Sequence, residues 1–431
     1  MKIKFMYKKI IFSNGLRLIL VPNTNTMAVT AMVLVGAGSK YETKEINGIS
    51  HFLEHLFFKG TKKRPTALKI AETLDKVGGI YNAFTSKELT GYFAKVDSIH
   101  WELALDWVSD IFLHSILPAK EIEKERGVII EEINMMLDTP MRYVGELWEE
   151  LLYGDQPAGW EIIGTKENIL KLKRNDFVDY LKSHYSSHNT IVAIAGNFPV
   201  KRAEKLVKSH FSPINKIAPQ AKVKTKEKQN KPGLLLKHKP TDQTHFCLGA
   251  RGLHCFHPRK YVQEILAVIL GGNMSSRLFM EVREKRGLAY YIHTSVEDYT
   301  DSGYLMTQAG VPNNKAARAI KVVLQEYQKI KEKGVSEAEL KKAKDYLKGV
   351  SSLSLEASDA QAMFLAGQEL LENKILTLEE KCAKINQVKA SQVKDLAAEI
   401  FQPRRLNLAL IGPHQEKQKF EKLLNETNLK I

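Results

Sequence analysis

The sequence predicts an α+β protein made of two homologous α/β sandwich domains, each a mostly antiparallel sheet covered by helices. The chain has 431 residues, which is too long for one comfortable hydrophobic core and suits two domains of roughly 200 residues each. In each half, consecutive strand patterns joined by short turns are followed by runs of helical patterns. The second half repeats the element order of the first, which indicates an ancient duplication.

The first half starts with a predicted hairpin, in which strands at 8–12 and 16–21 flank an Asn14-Gly15 turn. An apolar strand follows at 28–35. The Gly78-Gly79 pair marks the end of a helix. The other predicted elements of this half are helices at 48–58, 67–77, 100–114, 121–137 and 201–210 and strands at 80–85, 91–96 and 190–197.

A lysine-rich segment with several prolines separates the halves, and we predict that residues 216–239 form a linker. One domain is therefore predicted over 1–215 and a second over 240–431. The predicted elements of the second half are strands at 245–250, 290–297, 304–309 and 406–412 and a helix at 260–270, followed by several further helices.

The overall composition is that of a globular protein, with 44% hydrophobic and 26% charged residues. No apolar run approaches the roughly 18 residues needed to cross a bilayer, so we expect no membrane span. The segment Met1–Tyr7 is basic but lacks an apolar region and a cleavage site, which argues against secretion. The three cysteines form no C-x-x-C pair and fit a reducing compartment. We predict the bacterial cytoplasm in preference to the mitochondrial matrix, because no transit segment is evident.

The formal net charge of +15 could indicate a nucleic-acid partner, because clustered Lys and Arg neutralise phosphates. The lysines are instead spread along the chain, and many occupy polar helix faces, as in 329–333. No recognised nucleic-acid motif accompanies them. We therefore predict no nucleic-acid partner.

The segment His51-Phe52-Leu53-Glu54-His55 carries the clearest chemical signal. On a helix, positions i, i+3 and i+4 share a face, so the two histidines and the glutamate project together. Two imidazoles from successive turns can bind one Zn²⁺, and the carboxylate can act as general base on a water at that metal. The pattern is the inverted zinc motif H-x-x-E-H, and the alternative is a helix with two chance histidines. Its apolar flanks predict a buried helix, where unpartnered polar groups would be costly.

A catalytic zinc takes a third protein ligand, and the acidic helix at 121–132 supplies the candidates. Glu125 and Glu132 are seven residues apart, whereas Glu131 turns away from their face. Spacing makes Glu132 a reasonable ligand, with Glu125 orienting a histidine, and the alternative is a solvated acidic helix. The predicted apolar residues of the shared face are Val128, Ile129 and Met136.

Together these residues resemble the pitrilysin-type zinc peptidases, which include insulin-degrading enzyme and the catalytic subunit of mitochondrial processing peptidase. The resemblance covers nearly the whole chain. In that family a distant ligand glutamate follows the inverted motif, and another glutamate lies seven residues before it; these positions match Glu132 and Glu125. The resemblance thus implies one Zn²⁺ per chain, held by His51, His55 and Glu132, with Glu54 as the base. The second half lacks an H-x-x-E-H motif, as in members with a degenerate second domain.

The resemblance also implies substrate-binding residues in both halves. The stretch 78–85 is similar to the family's edge strand, and Asn82 and Ala83 match positions that bind the substrate backbone by strand addition. Arg283 and Tyr290 match a pair that reaches the substrate at the zinc and can stabilise the developing oxyanion. From the residues alone, these segments would be an ordinary strand and a surface helix.

The resemblance implies a zinc metallo-endopeptidase that hydrolyses unfolded peptides or small proteins inside a closed chamber. A chain of this length is similar to the short members that associate into a two-part shell. We therefore predict a homodimer, and the alternative is a heterodimer with an inactive relative. The alternative function is a non-catalytic structural or substrate-presenting subunit, but such relatives usually lose a motif residue, and this chain keeps them all.

Overall fold

The computed structural model describes residues 7–425. Residues 1–6 and 426–431 lie outside the described residues, and they include most of the N-terminal segment considered above and the outer ends of both predicted domains. Within 7–425, no helix combines the length and the apolar character needed to span a bilayer. The described chain forms two compact units, which we call unit 1 and unit 2.

The predicted strands are present and differ from the prediction only at their ends. The strands of the first half are β1 (Lys8–Ile11), β2 (Arg17–Pro22), β3 (Ala28–Val35), β4 (Ile80–Thr85), β5 (Thr90–Asp97) and β6 (Thr190–Gly196). Those of the second half are β7 (Gly233–His238), β8 (Gln243–Arg251), β9 (Tyr291–Asp298), β10 (Gly303–Pro312) and β11 (Leu406–Gly412), of which β7 was not predicted.

The helices surround these strands. Those of the first half are α1 (Ile49–Leu56), α2 (Ala67–Asp75), α3 (Trp101–His114), α4 (Ala119–Leu137), α5 (Pro140–Tyr153), α6 (Lys166–Lys171), α7 (Arg174–His184) and α8 (Val200–His210). Those of the second half are α9 (Lys260–Gly271), α10 (Ala316–Lys333), α11 (Glu337–Ser354), α12 (Ser358–Glu372), α13 (Leu378–Asn386), α14 (Ala390–Ile400) and α15 (Lys417–Asn425). A π-helical turn spans Phe279–Glu284.

Unit 1 comprises residues 7–134, 161–223 and 352–378. Its six-stranded sheet has the order β1-β2-β6-β3-β5-β4, so β4 is an edge strand. Neighbouring strands are antiparallel except β2 and β6, which are parallel. This mostly antiparallel sheet agrees with the predicted fold class.

Helices cover both faces of the unit 1 sheet, which explains why β3 and β6 are buried along almost their whole length. Helix α3 packs against β3 and β5. On the other face of the sheet, Leu365 and Ala366 of α12 pack among side chains of β3 and β6 that include Met32 and Ala193. Helix α1 lies against β4, so the helix with the two histidines is next to the open edge of the sheet.

Unit 2 comprises residues 135–160, 224–351 and 379–425. Its five-stranded sheet has the order β7-β11-β8-β10-β9, in which only the pair β7 and β11 is parallel. The order and directions correspond to β2-β6-β3-β5-β4 of unit 1, so the predicted duplication is confirmed at the level of the fold. Trp148 and Leu152 of α5 pack against this sheet, where they meet Cys247 and Ala409.

The boundaries of the two units differ from the contiguous domains predicted at 1–215 and 240–431. Residues 135–160, which include α5, belong to unit 2, and residues 352–378, which include α12, belong to unit 1. The segment predicted as a linker at 216–239 is divided between the units and ends in β7. The physical reason is that an amphipathic helix joins the sheet that buries its apolar side, whatever its position in the chain.

Candidate metal centre

Helix α1 separates its apolar side chains from its chemically active ones. His51, Glu54 and His55 are half-buried and lie on one side of the helix. The rings of the two histidines are 4.7 Å apart, measured between centroids. The opposite side anchors the helix in the core through the fully buried side chains Phe52, Leu53 and Leu56.

A buried carboxylate that the sequence analysis did not identify fixes the start of α1. Glu42 is 2% exposed, and its two oxygens accept hydrogen bonds from the backbone N–H groups of Gly48 and Ser50, each at 2.8 Å. Burial raises the pKa of Glu42, against the lowering effect of these hydrogen bonds. A Cβ atom at Gly48 (φ +101°) would lie 2.7 Å from the carbonyl oxygen of Ile163, so this approach requires glycine. Glu42 thus satisfies N–H groups that have no partner inside the helix and orients it.

His51, His55 and Glu132 converge although α1 and α4 are far apart in the sequence. The Oε2 atom of Glu132 lies 3.7 Å from Nε2 of His51 and 3.6 Å from Nε2 of His55. One candidate ligand atom from each residue lies within 4.8 Å of the others, and within 7–425 no other group of three or more His, Cys, Asp or Glu residues meets this condition. Ligands of a tetrahedral zinc at 2.0–2.2 Å are roughly 3.3–3.6 Å from one another. The donor set therefore fits one zinc ion.

The imidazole of His51 is neutral at ordinary pH. Burial, followed by the nearby His55, lowers the pKa of His51 to about 3. Its Nδ1 atom is buried and has no hydrogen-bond partner in the described part of the chain, whereas Nε2 faces Glu132. Because a metal needs the lone pair of a neutral imidazole, His51 is already in the form that binds.

Glu125 holds His55 from the side opposite to Glu132. Its Oε1 accepts a hydrogen bond from Nδ1 of His55 at 2.9 Å, which leaves Nε2 of His55 as the nitrogen with a lone pair. The Nζ atom of Lys59 lies 2.6 Å from the other oxygen of Glu125. Burial opposes ionisation of Glu125, but the hydrogen bonds from His55 and Lys59 outweigh it and keep its pKa below the usual value. An ionised Glu125 thus fixes the tautomer and orientation of His55, and Lys59 was missed by the sequence analysis.

Glu54 is hydrogen-bonded to the edge strand. Its Oε2 accepts a hydrogen bond of 2.6 Å from Oγ1 of Thr85, the last residue of β4. Burial raises the pKa of Glu54, and the charge of Glu132 adds to this, against the lowering effects of Thr85 and His55. A carboxyl group with a raised pKa is better matched to exchanging protons near neutral pH.

The buried stripe of α4 is turned about the helix axis from the predicted face. It contains Glu125 and Ile129 but continues on the side away from Val128, which is 48% exposed. Glu132 lies at the edge of the stripe, and 36% of its side chain is exposed. Glu131 is exposed, as predicted, and accepts a hydrogen bond from the side chain of Asn134.

Asn82 and Ala83 lie in the middle of β4, and the prediction that this strand is at a sheet edge is confirmed. The Oδ1 atom of Asn82 accepts a hydrogen bond of 2.9 Å from the backbone N–H of Ala83. That N–H group therefore points away from β5, toward the open edge where an added strand would pair. The role of these two residues in binding a substrate stays a prediction.

Arg283 and Tyr290 lie close together within unit 2. The guanidinium carbon of Arg283 is 5.7 Å from the ring centroid of Tyr290 and 4.8 Å from that of Phe279. Arg283 belongs to the π-helical turn rather than to a regular α-helix, and Tyr290 is 76% exposed. The structure thus brings the pair together as a cation–π contact, and its role toward a substrate stays a prediction.

Both halves of the chain match peptidase family models. Residues 17–166 match the model described as Insulinase (Peptidase family M16), and residues 171–347 match the model described as Peptidase M16 inactive domain. One relative, the uncharacterized zinc protease YmxG of Bacillus subtilis, is 37% identical over 95% of this chain and 98% of its own. A second, an uncharacterized zinc protease of Rickettsia felis, is 33% identical over 96% of this chain and 99% of its own.

Solved structures give the same result for the fold. The crystal structure of a protease from Helicobacter pylori has a TM-score of 0.89 and 26% identity, and covers 95% of this chain and 99% of its own. A Pseudomonas fluorescens structure, described as a peptidase M16 inactive domain, has a TM-score of 0.87 at 18% identity, with coverage of 95% and 98%, and supports the fold alone. The family models and the near full-length relatives show that the chain belongs to the insulinase family of peptidases, family M16.

Proposed function

We propose that this protein is a zinc metallo-endopeptidase that hydrolyses peptide bonds in unfolded peptides or small proteins. The observation that carries the proposal is the convergence of His51, His55 and Glu132. A fourth residue, Glu54, lies on the same face of α1 as the two histidines. The relatives named as zinc proteases support Zn²⁺ as the cofactor. When bound, zinc polarises a carbonyl and lowers the pKa of a water molecule toward about 7.

Glu54 is the general base in this proposal. It takes a proton from the attacking water as the water oxygen bonds to the carbonyl carbon, and it passes that proton to the leaving amine when the C–N bond breaks. Burial, which raises the pKa of Glu54, makes the carboxyl group suited to both steps. Glu125 does not touch the reacting atoms in this proposal, because it is engaged with His55 and Lys59.

The substrate backbone pairs with the open edge of β4. The exposed position of Asn82 and the outward direction of the Ala83 N–H group support this part of the proposal. Main-chain pairing gives affinity that depends little on side chains, which suits a peptidase for unfolded chains. Arg283 and Tyr290 supply an Arg donor and a phenol that stabilise the oxyanion.

The proposal includes a homodimer that closes around an internal chamber in the bacterial cytoplasm. The similarity of this chain to short members of the family supports this part, and a heterodimer with an inactive relative is the alternative assembly. Sedimentation of the purified protein tests it, since a monomer at micromolar concentration would contradict the homodimer.

Replacement of Glu54 by Gln tests the enzymatic proposal, because the amide keeps the shape of the side chain but cannot accept a proton. We expect this variant to bind one zinc per chain and to lose cleavage of a quenched fluorescent peptide. Cleavage at the wild-type rate would contradict the mechanism. Wild-type protein that carries stoichiometric zinc but cleaves no member of a broad peptide library would favour a non-catalytic structural or substrate-presenting subunit.

A further inference from the structure

Thr85 joins the edge strand to the side chain of Glu54. It is the last residue of β4, and its hydroxyl donates a hydrogen bond of 2.6 Å to Oε2 of Glu54. Side chains alternate between the faces of a strand, so Tyr81, Ala83 and Thr85 share one face. Tyr81 stacks on Phe58, just after the end of α1, which shows that this face of β4 looks toward the helix.

The hydrogen bond has a defined direction and leaves one oxygen of Glu54 available. An ionised carboxylate only accepts hydrogen bonds, so the hydroxyl of Thr85 is the donor. Within residues 7–425, no side chain or backbone group other than Thr85 makes a hydrogen bond with the carboxylate of Glu54. The bond therefore fixes Oε2 and leaves Oε1 for a water molecule.

We infer that Thr85 is a positioning residue for Glu54 and that it connects the strand which receives the substrate to the proposed general base. This inference rests on the proposed function. The backbone of Thr85 ends the edge along which an added strand would pair, and its side chain ends on the carboxylate of Glu54. Pairing along β4 and the orientation of the base therefore depend on the same residue.

Loss of the hydroxyl leaves Glu54 free to rotate about its side-chain bonds. A misplacement of about 1 Å in a reacting group can cost on the order of 100-fold in rate. We expect the Thr85→Val variant, which keeps the branched shape, to show a kcat lower by about 10–100-fold. The KM and the zinc content should remain those of the wild type, because no zinc ligand is changed. The Thr85→Ser variant restores the hydroxyl and should recover most of the kcat.

Thr90 provides the matched control, because it pairs directly with Thr85 on the neighbouring strand. Its hydroxyl is buried, donates to the carbonyl oxygen of Ala37 at 2.8 Å and makes no hydrogen bond with Glu54. The Thr90→Val variant makes the same chemical change one strand further in. We expect it to lower the unfolding temperature and to leave kcat unchanged.

The experiment measures kcat and KM on a quenched fluorescent peptide that the wild type cleaves, zinc content, and the crystal structures of the wild type and Thr85→Val. We expect Glu54 to change its side-chain conformation in Thr85→Val. An unchanged Glu54 conformation, or equal loss of kcat in Thr85→Val and Thr90→Val, overturns the positioning role. If the wild type cleaves no peptide but Glu54 still moves in Thr85→Val, the proposed function fails while the structural role of Thr85 stands.

Discussion

Replacement of Glu125 by Gln keeps the size of the side chain but removes its charge where it holds His55. The carboxylate accepts hydrogen bonds from His55 at 2.9 Å and from Lys59 at 2.6 Å, and only 5% of the side chain is exposed. The oxygen of a Gln amide can accept from one of these donors, but its NH₂ group would then face the other. Loss of such a partner of a metal-bound histidine typically lowers metal affinity about 10–100-fold, or roughly 1.4–2.7 kcal/mol. We expect the zinc Kd to rise by this factor.

A competition titration of the zinc-free protein against a chromophoric chelator at fixed pH measures this Kd. Glu123→Gln is the matched control on the same helix, because 71% of the Glu123 side chain is exposed and its partner is Arg126. The control should bind zinc as tightly as the wild type. A wild-type Kd for Glu125→Gln, or an equal loss in both variants, would refute the conclusion that Glu125 orients His55.

Three further predictions concern other carboxylates of unit 1. Glu132→Gln should weaken zinc binding by more than about 100-fold because it removes a proposed ligand, whereas Glu131→Gln should not change zinc binding. Equal zinc affinities of the two variants in the same titration would contradict this prediction. Glu42→Ala should lower the free energy of unfolding by about 2–4 kcal/mol in chemical denaturation, because Gly48 and Ser50 lose their buried acceptor, and an unchanged midpoint would exclude the anchoring role. Since burial raises the pKa of Glu54, its ionised form is lost as pH falls through a value above the ordinary 4.5, and kcat should decrease in that pH range. A kcat that stays constant down to pH 4.5 would contradict this prediction.

The parts of the site that could be predicted from the sequence have a local signal. The three residues of the motif on α1 share a face because of helical periodicity, and Glu125 and Glu132 share a side of α4 for the same reason. The family resemblance then selected Glu132 over its neighbour and pointed to β4, whose place at the sheet edge is confirmed. The exposure of Val128 shows the limit of such reasoning, since periodicity alone does not fix the direction in which a buried stripe faces.

The supporting residues had no local signal. Glu42, Lys59 and Thr85 act through partners on other elements, and each looks like an ordinary polar residue in its own segment. Their partners become visible only when the strands and helices are assembled. The π-helical turn that carries Arg283 was likewise hidden, because its sequence is compatible with a regular helix.

The assignment of helices to units could not be predicted for a related reason. Both α5 and α12 have apolar sides, but nothing in their sequences states which sheet they cover. The order of elements along the chain favoured the nearer sheet, and tertiary packing selected the other one in both cases.

The place of α12 in unit 1 sets the order in which the protein can be completed during synthesis. A ribosome that has finished residue 223 has made every strand of the unit 1 sheet, together with both helices of the candidate metal centre. One face of that sheet, including Met32 and Ala193, still lacks the helix that covers it until residues 358–372 emerge. The half of the chain that bears the candidate metal centre is thus synthesised first, but its packing is completed only after α12 has been made. In the nascent chain, this apolar face stays uncovered by α12 while more than a hundred further residues are added.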